Sequence, residues 1–214
     1  MANPDSEHIV PDHFDSAEQA FDASKMGLWL FMVTEILLFG GLFVTYIVYR
    51  SLYPEMFHEA SGHLNKILGG VNTVVLICSS FSMAMAVNRT QFNKPRQAAW
   101  LLLFTILCGV TFMTVKYFEY THKFHEGLLP GAHFTFEGIQ HPKTPLFFSL
   151  YFMMTGLHGV HVLVGMGLIF WVWTRTLRGH FSSRYYTPVE LTGIYWHLVD
   201  LIWIYLFPLL YLVG

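Results

Sequence analysis

Five ionisable side chains sit inside apolar stretches of this chain, where a charge is costly and each one marks a site or a packing partner. Glu35 lies between Thr34 and a run ending in Gly40 and Gly41. Desolvation at that depth disfavours its charged form. It reads either as a proton-handling or lipid-gating carboxyl, or as a neutral acid hydrogen-bonded to a neighbouring helix. His158 and His161 form an i, i+3 pair on one helical face. They could ligate a metal or haem, or have their ring nitrogens satisfied by hydrogen bonds between helices. Gly156, Gly159, Gly165 and Gly167 nearby favour close packing and hence the second reading. His197 and Asp200 are a further i, i+3 pair, in which the carboxylate could orient the imidazole as in a metal's outer shell or close a self-contained polar pair.

A second group lies at the ends of the apolar runs. Glu119 and Tyr120 precede His122 and His125, a His-x-x-His that could bind a metal. The competing reading is an amphipathic helix extension, with Tyr117, Phe118, Tyr120 and Phe124 at headgroup depth. Arg175, Arg178 and His180 form a basic turn suited to anionic lipid headgroups or to fixing topology. Cys78 and Cys108 fall in apolar runs, with no CxxC or CxxCH. Thiolate zinc sites and covalent haem attachment are therefore not expected.

These residues must be positioned by membrane helices. Hydrophobic residues make up 54% of the 214 and charged residues 12%. Soluble domains average about 25% charged, so the surface of a water-soluble globule could not be covered. Disorder is excluded by the same hydrophobicity. A net charge of −2 leaves no basic footprint for nucleic acid. Crossing a bilayer takes roughly 20 apolar residues. Five stretches qualify, at about 26–49, 67–87, 98–118, 146–173 and 189–212. None alternates as barrel strands do. The expected fold is an all-α polytopic membrane bundle of five transmembrane helices over 25–214, after an acidic N-terminal tail at 1–24. The tail holds six Asp or Glu and no Lys or Arg, unlike a signal peptide.

Orientation follows from Lys and Arg. With the N-terminus in the cytoplasm, the inside segments hold Lys25, Arg89, Lys94, Arg96, Arg175, Arg178 and Arg184. The outside segments hold Arg50, Lys66, Lys116, Lys123 and Lys143. Seven against five predicts N-terminus in and C-terminus out.

Four motifs, in order and on matching spans, carry a resemblance to subunit III of haem-copper oxidases, the cytochrome c oxidase subunit 3 family. They are KMGLWLFMVTE ending at Glu35 with FGGLF at 39–43; Glu119-Tyr120; TGLHGVHV at 155–162; and YWHLVDLIW at 195–203. The resemblance covers 25–213. It implies a non-catalytic subunit of a respiratory terminal oxidase that reduces O2 and pumps protons in a bacterial inner membrane. Haem and copper would belong to partner subunits I and II, with no cofactor on this chain. A subunit IV and a respiratory supercomplex are further partners to look for. The family holds structural phospholipid in a V-shaped cleft and supports proton uptake and sustained turnover. Glu35 matches its buried first-motif glutamate, and Arg175 and His180 match positions that hold an anionic headgroup in some members. The longest members have seven spans, so this chain lacks two that precede the Glu35 helix. Cytochrome c is the expected donor and a quinol oxidase the alternative. A membrane di-iron oxygenase would need about eight histidines at one membrane face, and a transporter would need broken helices or repeats.

Overall fold

A computed structural model describes residues 17–128, 141, 143–183 and 185–213. Most of the acidic tail, the middle of the loop after 128, and Arg184 lie outside the described residues, as do His8, His13 and His133. The chain runs α1 (Ala17–Leu52), α2 (Pro54–Gly62), α3 (Lys66–Gln91), α4 (Pro95–His125), α5 (Thr144–Leu177) and α6 (Thr187–Phe207), closed by a π-helical turn at Pro208–Leu212. Among the described residues five helices are long and apolar enough to cross a membrane, α6 with its closing turn being the fifth. The all-α, five-span expectation holds.

The helices outrun the apolar windows that announce them. The 31 residues of α4 span about 46 Å, against about 30 Å of hydrocarbon. Most of the excess is the segment 119–125, whose aromatic and charged residues continue the helix. α1 likewise begins inside the acidic tail, at Ala17.

Three helices stop the same way. After α3, α4 and α5 the chain turns through a left-handed residue: Asn93 (φ 54°), Gly127 (φ 76°) and Gly179 (φ 74°). Each time the next amide donates five residues back: Lys94 to Arg89, Leu128 to Lys123 and His180 to Arg175. This Schellman geometry satisfies carbonyls that the helix end leaves open. Starts are set by proline at the first turn, where its missing N–H costs nothing. At the far end, Pro208 cannot donate into α6, and the ladder widens so that the Val213 amide bonds the Pro208 carbonyl at 2.9 Å.

α6 is the centre of the bundle. Of its most apolar window 56% is buried, against 11% for α1. α3 packs on α4 and α6, α4 on α5, and α5 on α6, while α1 leans on α5 and α6 and touches α2. Indole donors knit α3 to α6: Trp196 Nε1 to Ser79 Oγ and Trp203 Nε1 to Thr73 Oγ1, both at 3.0 Å. Of the four glycines expected to permit close packing on α5, Gly165 alone meets a tight neighbour, since a Cβ there would lie 2.8 Å from the Trp196 ring. Gly156 and Gly159 have only ordinary contacts near 3.9 Å, and Gly167 faces open space.

Candidate functional site

α1 meets the bundle through the Lys25–Glu190 pair at 3.4 Å, the Tyr46 hydroxyl donating to the Leu209 carbonyl at 2.9 Å, and one polar bond to α5 at mid-span. Glu35 Oε2 lies 2.8 Å from His161 Nε2 on α5. His161 Nδ1 lies 2.8 Å from the Leu157 carbonyl. A carbonyl only accepts, so Nδ1 carries a hydrogen and donates. The other bond then takes one of two forms, a protonated Glu35 donating to Nε2 or an imidazolium donating to a carboxylate. Either way the pair is neutral overall and holds one proton between Oε2 and Nε2. Phe39 meets the imidazole edge-on, with ring centroids 5.4 Å apart. Tyr195 closes the other side, donating to the His161 carbonyl at 3.1 Å. Both side chains keep a little exposure, 13% for His161 and 12% for Glu35.

His158 does not join that pair. Three residues earlier on α5, it points into the bundle, fully buried. It stacks on Trp203 with centroids 5.3 Å apart, and Phe112 meets it edge-on at 5.5 Å. Neither ring nitrogen has a protein partner. The expectation that hydrogen bonds satisfy both fourth-span histidines therefore holds for His161 and fails for His158, because aromatic side chains occupy the positions where donors would stand.

The His197–Asp200 pair is not formed. His197 Nδ1 instead lies 2.7 Å from the Ser80 hydroxyl on α3. Asp200 is 2% exposed and neither carboxyl oxygen has a hydrogen-bond partner. An i, i+3 step leaves the two side chains within about 60° of each other on α6, but Ser80 of α3 takes the imidazole. The two histidine pairs and Glu35 thus form one hydrogen-bonded contact, Glu35–His161, and not a single cluster.

Glu119 builds the densest polar site, and its partners were the residues that sequence reasoning missed. Lys116 Nζ donates to Glu119 Oε2 at 2.8 Å, to the Tyr211 hydroxyl at 2.9 Å and to the Tyr151 hydroxyl at 3.3 Å. Those three bonds use every ammonium proton. Tyr211 donates to Glu119 Oε1 at 2.7 Å. Four aromatic rings, of Tyr120, Tyr151, Trp203 and Tyr211, lie 5.0–5.6 Å from the same nitrogen, within reach of cation–π attraction. Lys123, one helical layer on, is also buried, with its ammonium 3.5 Å from the His63 carbonyl. Lys116 and Lys123 are therefore not loop charges. The signal was available: Lys116 and Glu119 stand at i, i+3, the spacing of a helical ion pair.

The outer His-x-x-His does not converge. His122 pairs with Glu126 at 3.2 Å and is exposed, and His125 is exposed as well. Among the described residues no three His, Cys, Asp or Glu side chains are grouped to hold a metal. Tyr117, Phe118 and Phe124 face outward as an interfacial extension would. Tyr120 turns inward, 2.5 Å from the Thr155 hydroxyl. On the opposite side of the bundle Arg175 stacks over Trp171 at 5.4 Å. Arg175, Arg178 and His180 are all exposed where α5 ends.

Comparison with known proteins agrees with the motifs. The family described as cytochrome c oxidase subunit III matches residues 12–214. Cytochrome c oxidase subunit 3 of Synechocystis sp. is 37% identical over 194 residues, which cover 89% of this chain and 76% of that protein. The protein of the same name from Thermostichus vulcanus is 33% identical over 202 residues, covering 92% and 91%. Quinol oxidase subunit 3 of Bacillus spizizenii is 28% identical over 194 residues, covering 88% and 86%.

Proposed function

The chain belongs to the cytochrome c oxidase subunit III family, and from that premise we propose that it is the non-catalytic subunit III of a respiratory haem-copper oxidase. The complex reduces O2 to water and pumps protons on haem and copper held by subunits I and II. This chain braces subunit I, holds phospholipid and supports proton uptake and sustained turnover. Cytochrome c is the donor in this reading, supported by the names of the two more similar relatives.

The observation that carries the proposal is the Glu35–His161 bond. The Leu157 carbonyl, Phe39 and Tyr195 hold the imidazole, so the pair offers no open position for a substrate or metal. What it does offer is one proton fixed at mid-span, on a helix whose other faces are uncovered. That suits a role in proton handling and in fixing the wall of a lipid cleft.

The membrane is the bacterial inner membrane, with the N-terminus in the cytoplasm. Removing Lys116 and Lys123 from the outer loops, where they do not belong, leaves three outer cations from five, against seven inside. At the inner face Arg175, Arg178 and His180 hold an anionic headgroup.

Mass spectrometry of the proteins that copurify in mild detergent tests this reading. A haem-copper subunit I together with a subunit II bearing a copper-binding cysteine pair is the expected result. A cysteine-less subunit II would establish the second reading, a quinol oxidase, which the Bacillus spizizenii relative favours. A chain that purifies alone with about two irons would overturn both.

A further inference from the structure

α6 packs on α1, α3 and α5, and the side it leaves uncovered bears one polar group. His197, Leu201 and Ile204 stand there at i, i+4 and i+7, a single stripe of the helix. Leu201 and Ile204 are exposed, and His197 is partly so. The two aliphatic side chains need only hydrocarbon around them. The imidazole needs more. Its Nδ1 is engaged inward, 2.7 Å from the Ser80 hydroxyl of α3. Its Nε2 has no hydrogen-bond partner on this chain and is not enclosed by it.

Depth decides what can meet that nitrogen. The fifth span runs over 187–212, so its middle falls between residues 199 and 200. His197 is within about 4 Å of it at 1.5 Å per residue. The hydrocarbon is about 30 Å thick, which leaves headgroups roughly 10 Å or more away. Acyl chains neither donate nor accept, and a polar group among them is matched by protein. The contrast with Glu35 is direct. The first span, 19–52, has its middle at the same kind of position, and there the carboxyl finds His161 within the chain. His197 is completed only from outside.

We propose that this side of α6 receives a transmembrane helix of a partner subunit, whose hydroxyl or side-chain amide hydrogen-bonds His197 Nε2 at mid-membrane. The serine hydroxyl either donates to Nδ1, which makes Nε2 an N–H donor, or accepts from it, which makes Nε2 an acceptor. Ser, Thr, Asn and Gln serve both cases, and these are the side chains that join helices within bilayers. Leu201 and Ile204 supply the apolar surface on either side of the bond, and Ile77 and Phe81 of α3, also exposed, stand three residues before and one after Ser80. The inference rests on the oxidase-subunit reading for the existence of a membrane partner; the place and chemistry of the contact come from His197.

The test uses the intact complex, prepared with p-benzoyl-phenylalanine in place of Leu201, one helical turn from His197, and irradiated. The expected product joins this chain to a transmembrane peptide of a partner subunit that contains Ser, Thr, Asn or Gln. This variant keeps His197, so the result does not depend on a histidine substitution folding. Separately, His197→Phe should weaken retention of the chain in the complex roughly threefold, the size of one hydrogen bond between membrane helices, and His197→Gln should restore most of it. Crosslinks to lipid alone, to a second copy of this chain or to a partner segment without such a side chain would each overturn the inference, as would native retention with His197→Phe. Any of these in a complex that is recovered whole leaves the oxidase-subunit reading standing. A chain that purifies with no partner would overturn both.

Discussion

Two polar sites sit at different depths of the same bundle and are built on opposite plans. Around Lys116, every donor has an acceptor, four rings close the cage, and four elements contribute: α4, α5, α6 and the turn after it. Around Glu35, a single bond joins a thinly covered helix to α5. A buried ion pair of the first kind fixes geometry, because losing one partner strands a charge. A single bond of the second kind fixes little by itself, and leaves its proton free to answer to lipid or a neighbouring subunit. The cage therefore reads as architecture and the seam as the working site.

The largest expected effect breaks the cage. Lys116→Met strands Glu119 and should cost about 3–5 kcal/mol, measured as a lower temperature for release of this chain from the purified complex. Lys116→Met combined with Glu119→Gln should recover most of that loss; a double variant as unstable as the single one would mean that the charge pair is not what matters. Next comes packing at α5. Gly165→Val drives a side chain into Trp196 and should cost about 1–3 kcal/mol, whereas Gly167→Val, facing open space, should stay within about 0.5 kcal/mol. Equal melting temperatures for these two would contradict the helix contact itself.

Smaller effects sharpen the contrast at the membrane seam. Arg175→Ala with His180→Ala should weaken retention of one anionic lipid about fivefold through loss of the Arg175 charge, counted by native mass spectrometry; an unchanged count removes that assignment. Smallest in stability is the seam. A double-mutant cycle on Glu35→Gln and His161→Phe should give a coupling of only about 0.6 kcal/mol, typical of hydrogen bonds between membrane helices. A coupling of several kcal/mol would make the seam as architectural as the cage.

The sequence already carried the five spans, because hydropathy reports directly what must sit in hydrocarbon. It also carried Glu35 and His161 as residues in need of partners. It did not carry their pairing, since which face of α1 meets α5 is decided by packing between distant segments. His197 and Asp200 look like partners along the helix, yet Ser80 of α3 takes the histidine. Tyr211 could not be linked to Lys116 at all without the π-helical turn that Pro208 forces, which brings residue 211 beside residue 116. The end of α4 was legible as the helix extension weighed for Tyr117–Phe124, although a hydropathy window closes at the first charges and so ends the apolar span earlier.

The most direct test is oxygen consumption by the purified oxidase with Glu35→Ala, followed through many turnovers with the haem spectrum recorded alongside. A non-catalytic subunit whose working site is the Glu35 seam predicts an unchanged spectrum, a normal initial rate and an earlier loss of activity. Loss of haem, or an initial rate near zero with the complex intact, would contradict it.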